Sequence, residues 1–175
     1  DKSGAKYYFG SSANSRQEKS PSRAYSWYLE KAMDLKGNYL LVSYQSDQDQ
    51  IYPKRIDYTG NQENKDPPSY SVEFILEGRS DVSINYRSGI KVITAKRINE
   101  IQVKYNSLLT RKYRLDYQVS ASRRSLLSSV TQFGQDGSIA LPPVKFSYQE
   151  KEAKFTPPSS WSGVSDYGKY YKWAT

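Results

Sequence analysis

The sequence predicts an all-β fold of about nine or ten mostly antiparallel strands arranged as curved sheet. Three observations carry this expectation. Apolar and polar residues alternate with period two in short runs, with turn-forming residues between them. Helical spacing is nearly absent. The chain also holds 17 Tyr and 3 Trp in 175 residues, whereas Leu, Ile, Val and Phe make up only about a fifth of it. With a net charge of +8, so few aliphatic residues would border on disorder. The aromatic rings reverse that reading, because large rings drive collapse and suit strands with one wet and one half-buried face.

Residues 11–24 are rich in Ser, Asn and charge and read as a loop. Runs 25–34 and 39–45 form a hairpin across Lys36-Gly37-Asn38, with Trp27, Leu29, Lys31 and Met33 on one side of the first run. Trp27 therefore reads as a core or sheet-packing residue. Leu40, Val42 and Tyr44 share one side of the second run, and Tyr39 and Leu41 the other. Asp47-Gln48-Asp49 could open a calcium loop, but no third ligand or Gly follows at loop spacing, so it reads as the cap of a turn.

Residues 60–69 form a second polar loop, entered at Gly60. Val72, Phe74 and Leu76 mark the next strand, and Arg79 and Asp81 pair to fix a loop. Runs 82–86 and 90–93 flank Ser88-Gly89. Two further strands follow on Ile101, Val103 and Tyr105, and on Tyr113, Leu115, Tyr117 and Val119. Residues 123–130 are the one stretch where a helical turn is plausible. Asp136-Gly137 gives a tight turn after Phe133, and Val144, Phe146 and Tyr148 alternate beyond Pro142-Pro143. Residues 156–169 read as a linker, so the chain divides into a β-sheet module over 1–155 and an irregular tail over 156–175, leading toward a following domain. Both ends, at Asp1 and shortly after Trp173, read as cuts. Runs that are apolar on both sides, such as 39–42 and 74–76, imply a cover over the second face of the sheet.

The composition also excludes chemistries. Without Cys there is no disulfide framework, thiol nucleophile or thiolate metal site, and without His there is no imidazole base. Nucleophilic hydrolysis assisted by His is thereby ruled out within this chain. No apolar run is long enough for a membrane-spanning helix. Lys96-Arg97, Arg111-Lys112, Arg114 and Arg123-Arg124 lie near Tyr105, Tyr113 and Tyr117, which suggests nucleic-acid stacking. These cations are dispersed among acidic residues, however, and read as a solvated face, so nucleic acid is not expected as a partner. Glu150-Lys151-Glu152 has the Glu-x-Glu spacing of arginine-directed ADP-ribosyltransferases, but the Ser-Thr-Ser strand such a site needs is missing. No enzyme, cofactor or metal site is expected. Trp27, Trp161 and Trp173 with the many tyrosines leave a carbohydrate- or surface-binding module as the alternative.

Specific motifs add to this reading. The run from Trp27 through Asp34, Gly37 and Asn38 to Tyr39, continuing to Tyr44-Gln45, resembles an RHS- or YD-type hairpin. Gly37 and Asn38 suit its turn, and Asp34 can accept hydrogen bonds across it. In order there follow Ile56-Asp57-Tyr58-Thr59-Gly60, Tyr70 to Phe74, Arg79-Ser80-Asp81, Tyr86-Arg87-Ser88-Gly89, Lys96-Arg97-Ile98, Arg114 to Tyr117, Arg124 to Leu127, Phe133 to Gly137, and Leu141-Pro142-Pro143-Val144 to Tyr148. Together this set, spanning about residues 1–150, resembles the amino-terminal SpvB-type region shared by SpvB virulence proteins and the B component of insecticidal toxin complexes.

The resemblance implies a structural part: sheet contributed to a hollow shell, built with RHS repeats, that encloses or displays a toxic polypeptide. Its implied partners are the other domains of a parent protein, the RHS-repeat shell and a β-propeller, together with a C-type toxin component. It implies a secreted or cell-surface location. The residues expected to matter are architectural: Gly37, Gly60, Gly89 and Gly137 at turns, Asp34 with Asn38, Arg79 with Asp81, Pro142 and Pro143, and Trp27 covering the sheet. The expected consequence is at least one unpaired edge or an exposed apolar face.

Overall fold

The computed structural model describes residues 2–19 and 23–149. Its strands are β1 (Lys6–Phe9), β2 (Arg16–Glu18), β3 (Ala24–Trp27), β4 (Leu29–Met33), β5 (Asn38–Asp47), β6 (Gln50–Asn61), β7 (Tyr70–Asn85), β8 (Val92–Tyr105), β9 (Leu108–Val119), β10 (Ser125–Phe133) and β11 (Val144–Lys145). A 3-10 turn, Ala13–Ser15, precedes β2. Nine strands form one open antiparallel sheet in the order β1-β4-β5-β6-β7-β8-β9-β10-β11, and β2 pairs with β3 as a separate hairpin. The fold is all-β, as the alternation predicts. From β4 onward it is a meander, each strand pairing with the next, so local turns determine most of the topology.

Two of those turns are two-residue loops in the mirror-image conformation that matches strand twist. Gln48 and Asp49 have φ of 50° and 62°, and Asn106 and Ser107 have 46° and 69°. The Asp47–Asp49 segment is thus the turn itself. At the β4–β5 turn Gly37 has φ of 76°, and the Asp34 carboxylate accepts from Lys36 N at 2.8 Å, Asn38 N at 2.9 Å and Asn38 Nδ2 at 2.8 Å. The Asn38 amide, with these backbone donors, holds Asp34 below the usual carboxylate range.

Three local expectations need correction. Residues 123–130 are not helical: β10 begins at Ser125 and pairs with β9 from Ser125↔Val119 to Phe133↔Lys112. Cross-strand bonding to β9 outweighs a weak local spacing. The segment 11–24 is more than a loop, since it contains the 3-10 turn and β2. Gly60 sets no turn. It lies within β6 opposite Tyr39, and a Cβ there would collide with the Tyr39 ring. The bend belongs to the preceding residue, Thr59, at φ of 73°, where β6 carries an extra residue against β5. Gly60→Ala should therefore force the Tyr39 ring aside and cost about 1–2 kcal/mol, read from urea unfolding.

Cross-strand partners share a face, so the register sorts the sheet into two surfaces. Val42, Ile56, Val72 and Val103 align across β5 to β8, flanked by the row Tyr58, Tyr70 and Tyr105 and by the row Phe74, Ile101 and Tyr113. This is the apolar face. Ring centroids of Tyr58 and Tyr70 lie 5.6 Å apart, and those of Tyr70 and Tyr105 4.8 Å. The reverse face carries ion pairs: Arg55 with Asp57 at 2.7 Å and Glu73 at 2.8 Å, Lys104 with Glu73 at 2.5 Å, and Lys112 with Glu100 at 3.4 Å. These pairs are half-buried, and they mark this face as the polar one.

Burial is thin. Among the described residues, only Ile51, Tyr52 and Val92 are buried hydrophobic residues. The rest of the apolar face is half-buried, because no second layer of these residues lies over most of it.

Candidate functional site

The buried hydrophobic residues among those described cluster where the tip of the β5–β6 hairpin meets the start of β8. There β7 runs out of register: Gly78 pairs with Lys96, but the next pair is Ser83 with Thr94. Five steps of β7 span two of β8, so the ladder is interrupted. The β5–β6 tip supplies the missing bonds. Ile93 N donates to Gln48 O at 3.1 Å, and the Thr94 hydroxyl donates to the Gln50 amide oxygen at 3.3 Å. Both Ala95 N and Lys96 N donate to the Tyr52 hydroxyl, at 3.0 and 3.2 Å. Gln17 of β2, 4% exposed, donates to Asp49 O at 2.5 Å and accepts from the Tyr25 hydroxyl. The small hairpin is thereby fastened to the same tip.

The out-of-register part of β7 is fastened on its other side as well. Arg79 grips Asp81 through Nε at 2.9 Å and Nη2 at 2.7 Å. Asp81 also accepts from Ser125 N at 2.8 Å and the Ser125 hydroxyl at 2.5 Å. Arg97 of β8 binds Glu77 at 2.7 Å and the Ser125 hydroxyl at 2.7 Å, and stacks 4.1 Å from the Tyr117 ring centre. The Tyr117 hydroxyl donates to Ile98 O at 2.6 Å, and burial pushes its pKa up. β7 and β10 are three places apart in the sheet, about 14 Å if it were flat. A direct bond from Asp81 to Ser125 requires the sheet to curl.

Chemically this cluster is a fastening. Arg79, then the Ser125 hydroxyl and amide, hold the Asp81 carboxyl far below the usual range, so it stays ionised and fully occupied. A carboxylate so saturated is a poor proton acceptor. No three His, Cys, Asp or Glu among the described residues gather as a metal site. The depressed pKa contributes stability above the unfolded aspartate pKa of about 4, and this is lost as pH falls below it. The urea midpoint of Asp81→Asn should therefore trail the native chain by a constant gap from about pH 8 to 5, narrowing below about pH 4. A gap that persists at low pH would count against the ionised pair.

The other residues singled out from sequence fall as follows. Gly89 (φ 74°) closes a turn on Tyr86 O at 2.9 Å, and Gly137 (φ 70°) closes one on Gly134 O at 3.1 Å. In the latter turn Asp136 accepts from Ser138 N and Ile139 N, which lowers its pKa. Pro142 and Pro143 are exposed, just before β11. Trp27 is not a core residue. It is 56% exposed at the end of β3, because its alternating run crosses from the small hairpin into β4, and its ring edge rests against Gly10. Trp161, Trp173 and Glu150-Lys151-Glu152 lie outside the described residues. Sequence reasoning missed Tyr52, Arg97 and Ser125 as organising residues, since nothing local separates them from other tyrosines, arginines and serines.

The arrangement therefore presents surfaces. The apolar face opens near one end into a shallow depression lined by Tyr7, Ala32, Leu40 and Tyr58. One outer edge is β1, where Tyr7, Tyr8 and Phe9 are exposed. The other is β11, where Val144 is exposed together with Phe146 and Tyr148 just beyond it. No strand among the described residues pairs with the outer side of either edge.

No protein-family model matches this sequence, and no curated protein matches it. Solved structures do. The crystal structure of TcdB2-TccC3-Cdc42 superposes with a TM-score of 0.67 at 18% identity, over 84% of this chain and 10% of that one. A Tc holotoxin pore of Photorhabdus luminescens gives a TM-score of 0.72 at 18% identity, over 85% and 10%. The N-terminal domain of effector protein SpvB from Salmonella typhimurium strain LT2 gives 0.65 at 12% identity, over 77% and 59%. The chain thus spans about a tenth of the two toxin chains it matches. The fold implied by the sequence resemblance is the fold observed.

Proposed function

We propose that this chain is a non-catalytic structural module of a large secreted or cell-surface bacterial toxin-like protein, contributing antiparallel sheet to a shell that encloses or displays a toxic domain. One observation carries the reading: an open sheet whose apolar face is only half-covered and whose two edges are unpaired among the described residues. Such edges and faces are normally blunted or covered in a protein that stands alone. The fold shared with toxin chains and with an effector's amino-terminal domain supports the same reading.

In this mechanism the β1 and β11 edges are continued by neighbouring strands of the parent, including RHS-repeat sheet, with a β-propeller and a C-type toxin component as further partners. The apolar face meets the parent's own packing or its contents. Hydrogen exchange tests it. Amides of residues 6–9 and 144–148 should exchange quickly in the isolated chain and at least about tenfold more slowly within the full parent protein. Equal rates in the two settings would refute edge continuation. Incubation with labelled NAD should leave arginine-bearing acceptors unmodified, and transfer that depends on Glu150 and Glu152 would overturn the non-catalytic assignment.

A further inference from the structure

The outer part of the β7–β8 hairpin carries an uncovered apolar row. Along residues 82–87, Val82, Ile84 and Tyr86 alternate with Ser83, Asn85 and Arg87. Ser83 pairs with Thr94 and Asn85 with Val92, so these two polar residues share the face turned toward the β5–β6 tip. On that face Val92 is 3% exposed and Thr94 bonds to Gln50. The apolar row faces the other way, and Val82, Ile84 and Tyr86 are 49%, 54% and 64% exposed. Ser83 and Asn85 are exposed as well, so this segment shows apolar side chains that no neighbour covers, and such exposed rows mark interaction sites.

Cations surround this row. Arg87 and Lys91 are exposed in the loop at the hairpin tip. Arg123 and Arg124, in the β9–β10 turn, line one depression with Val82 and Ser83. None of these four is in an ion pair among the described residues. The carboxylate beside them, Asp81, is taken up by Arg79 and Ser125.

We propose that this hairpin tip docks on an anionic lipid surface, with Val82, Ile84 and Tyr86 entering the interface and Arg87, Lys91, Arg123 and Arg124 meeting acidic headgroups. Three exposed side chains are far less than the roughly 800 Å² per partner that a stable protein interface buries. A bilayer interface accepts such a small apolar wedge, seats tyrosine at headgroup level, and concentrates the negative charge these cations lack. Each cation held at an acidic leaflet strengthens binding about fivefold.

Co-sedimentation of the full 175-residue chain tests this, using vesicles of phosphatidylserine and phosphatidylcholine in a roughly three-to-seven mix against phosphatidylcholine alone. Binding should be at least about tenfold tighter to the acidic vesicles and should weaken at high salt. The Val82→Ser, Ile84→Ser, Tyr86→Ser triple variant should lose about tenfold. Arg123→Gln with Arg124→Gln should lose about tenfold or more. All these side chains are exposed, so thermal midpoints should stay at the native value, separating binding loss from unfolding. Equal partition onto both vesicle types, or no partition, overturns the proposal. So does binding weakened by the arginine changes but not by the triple variant, or capture of polyglutamate in place of vesicles, since either outcome describes a site for acidic polypeptide.

Discussion

Tyr52→Phe should destabilise the chain by about 2–4 kcal/mol, although it removes a single oxygen from a ring that otherwise keeps its shape. The Tyr52 hydroxyl accepts from two backbone amides of β8, Ala95 N and Lys96 N, in the region where β7 leaves register. Tyr52 is 7% exposed, so little water is present to replace the oxygen. Each orphaned donor would cost about 1–3 kcal/mol in desolvation without a partner. Urea unfolding followed by far-ultraviolet circular dichroism measures the loss. A second reading distinguishes this from simple loss of packing: exchange of the Ala95 and Lys96 amides should accelerate more than exchange at β9 or β10. A loss below about 0.5 kcal/mol would mean that these amides are satisfied in another way.

Truncating Ile51 to Ala should cost about 2–4 kcal/mol, the range for a large-to-small change at a buried site. The same truncation on the half-covered apolar face, at Ile56 or Val72, should cost visibly less in this chain, because water already reaches those side chains and no sealed cavity is left. The proposed shell role predicts that within a larger protein the order shifts, with Ile56 and Val72 approaching Ile51 once neighbouring sheet covers them. Thermal or urea midpoints of the three variants, in the isolated chain and in the parent, make the comparison. Equal costs in the isolated chain would show that the face is covered by part of this chain itself.

The parts of the fold that were legible from sequence are those in which a residue's partner is near in the chain or one strand away. The Asp34-to-Asn38 turn can be read from five residues, because the carboxylate and its donors lie within one bend. The alternation of Val72 and Phe74 with polar residues follows from the pleat, and Val103 and Ile101 opposite them follow from the same period. Even the hairpin tip, Val82 to Arg87, is visible as alternation, although the exposure of its apolar residues is not.

The errors lie where distance along the chain is large. Gly60 looks like a loop glycine and is instead a floor for the ring of Tyr39, twenty-one residues earlier. Trp27 looks like a sheet residue and stands at the exposed end of a separate small hairpin. Ser125 looks like the edge of a helical turn and closes the bond network from β7 to β10, forty-four residues away from Asp81.

By itself the sequence determined the secondary-structure class, the turns at Gly37, Gly89 and Gly137, and the absence of thiol and imidazole chemistry. These follow from short-range physics: side-chain direction alternating along a strand, turn residues that tolerate positive φ, and the residue types present. Tertiary structure alone decided how the sheet curls, because curling is set where a strand loses register and its amides and charges must find partners. Tyr52, Arg79, Asp81 and Ser125 are those partners, and they are brought together only by the curling of the sheet. The same curled but open sheet leaves the apolar face, both edges and the hairpin tip uncovered among the described residues.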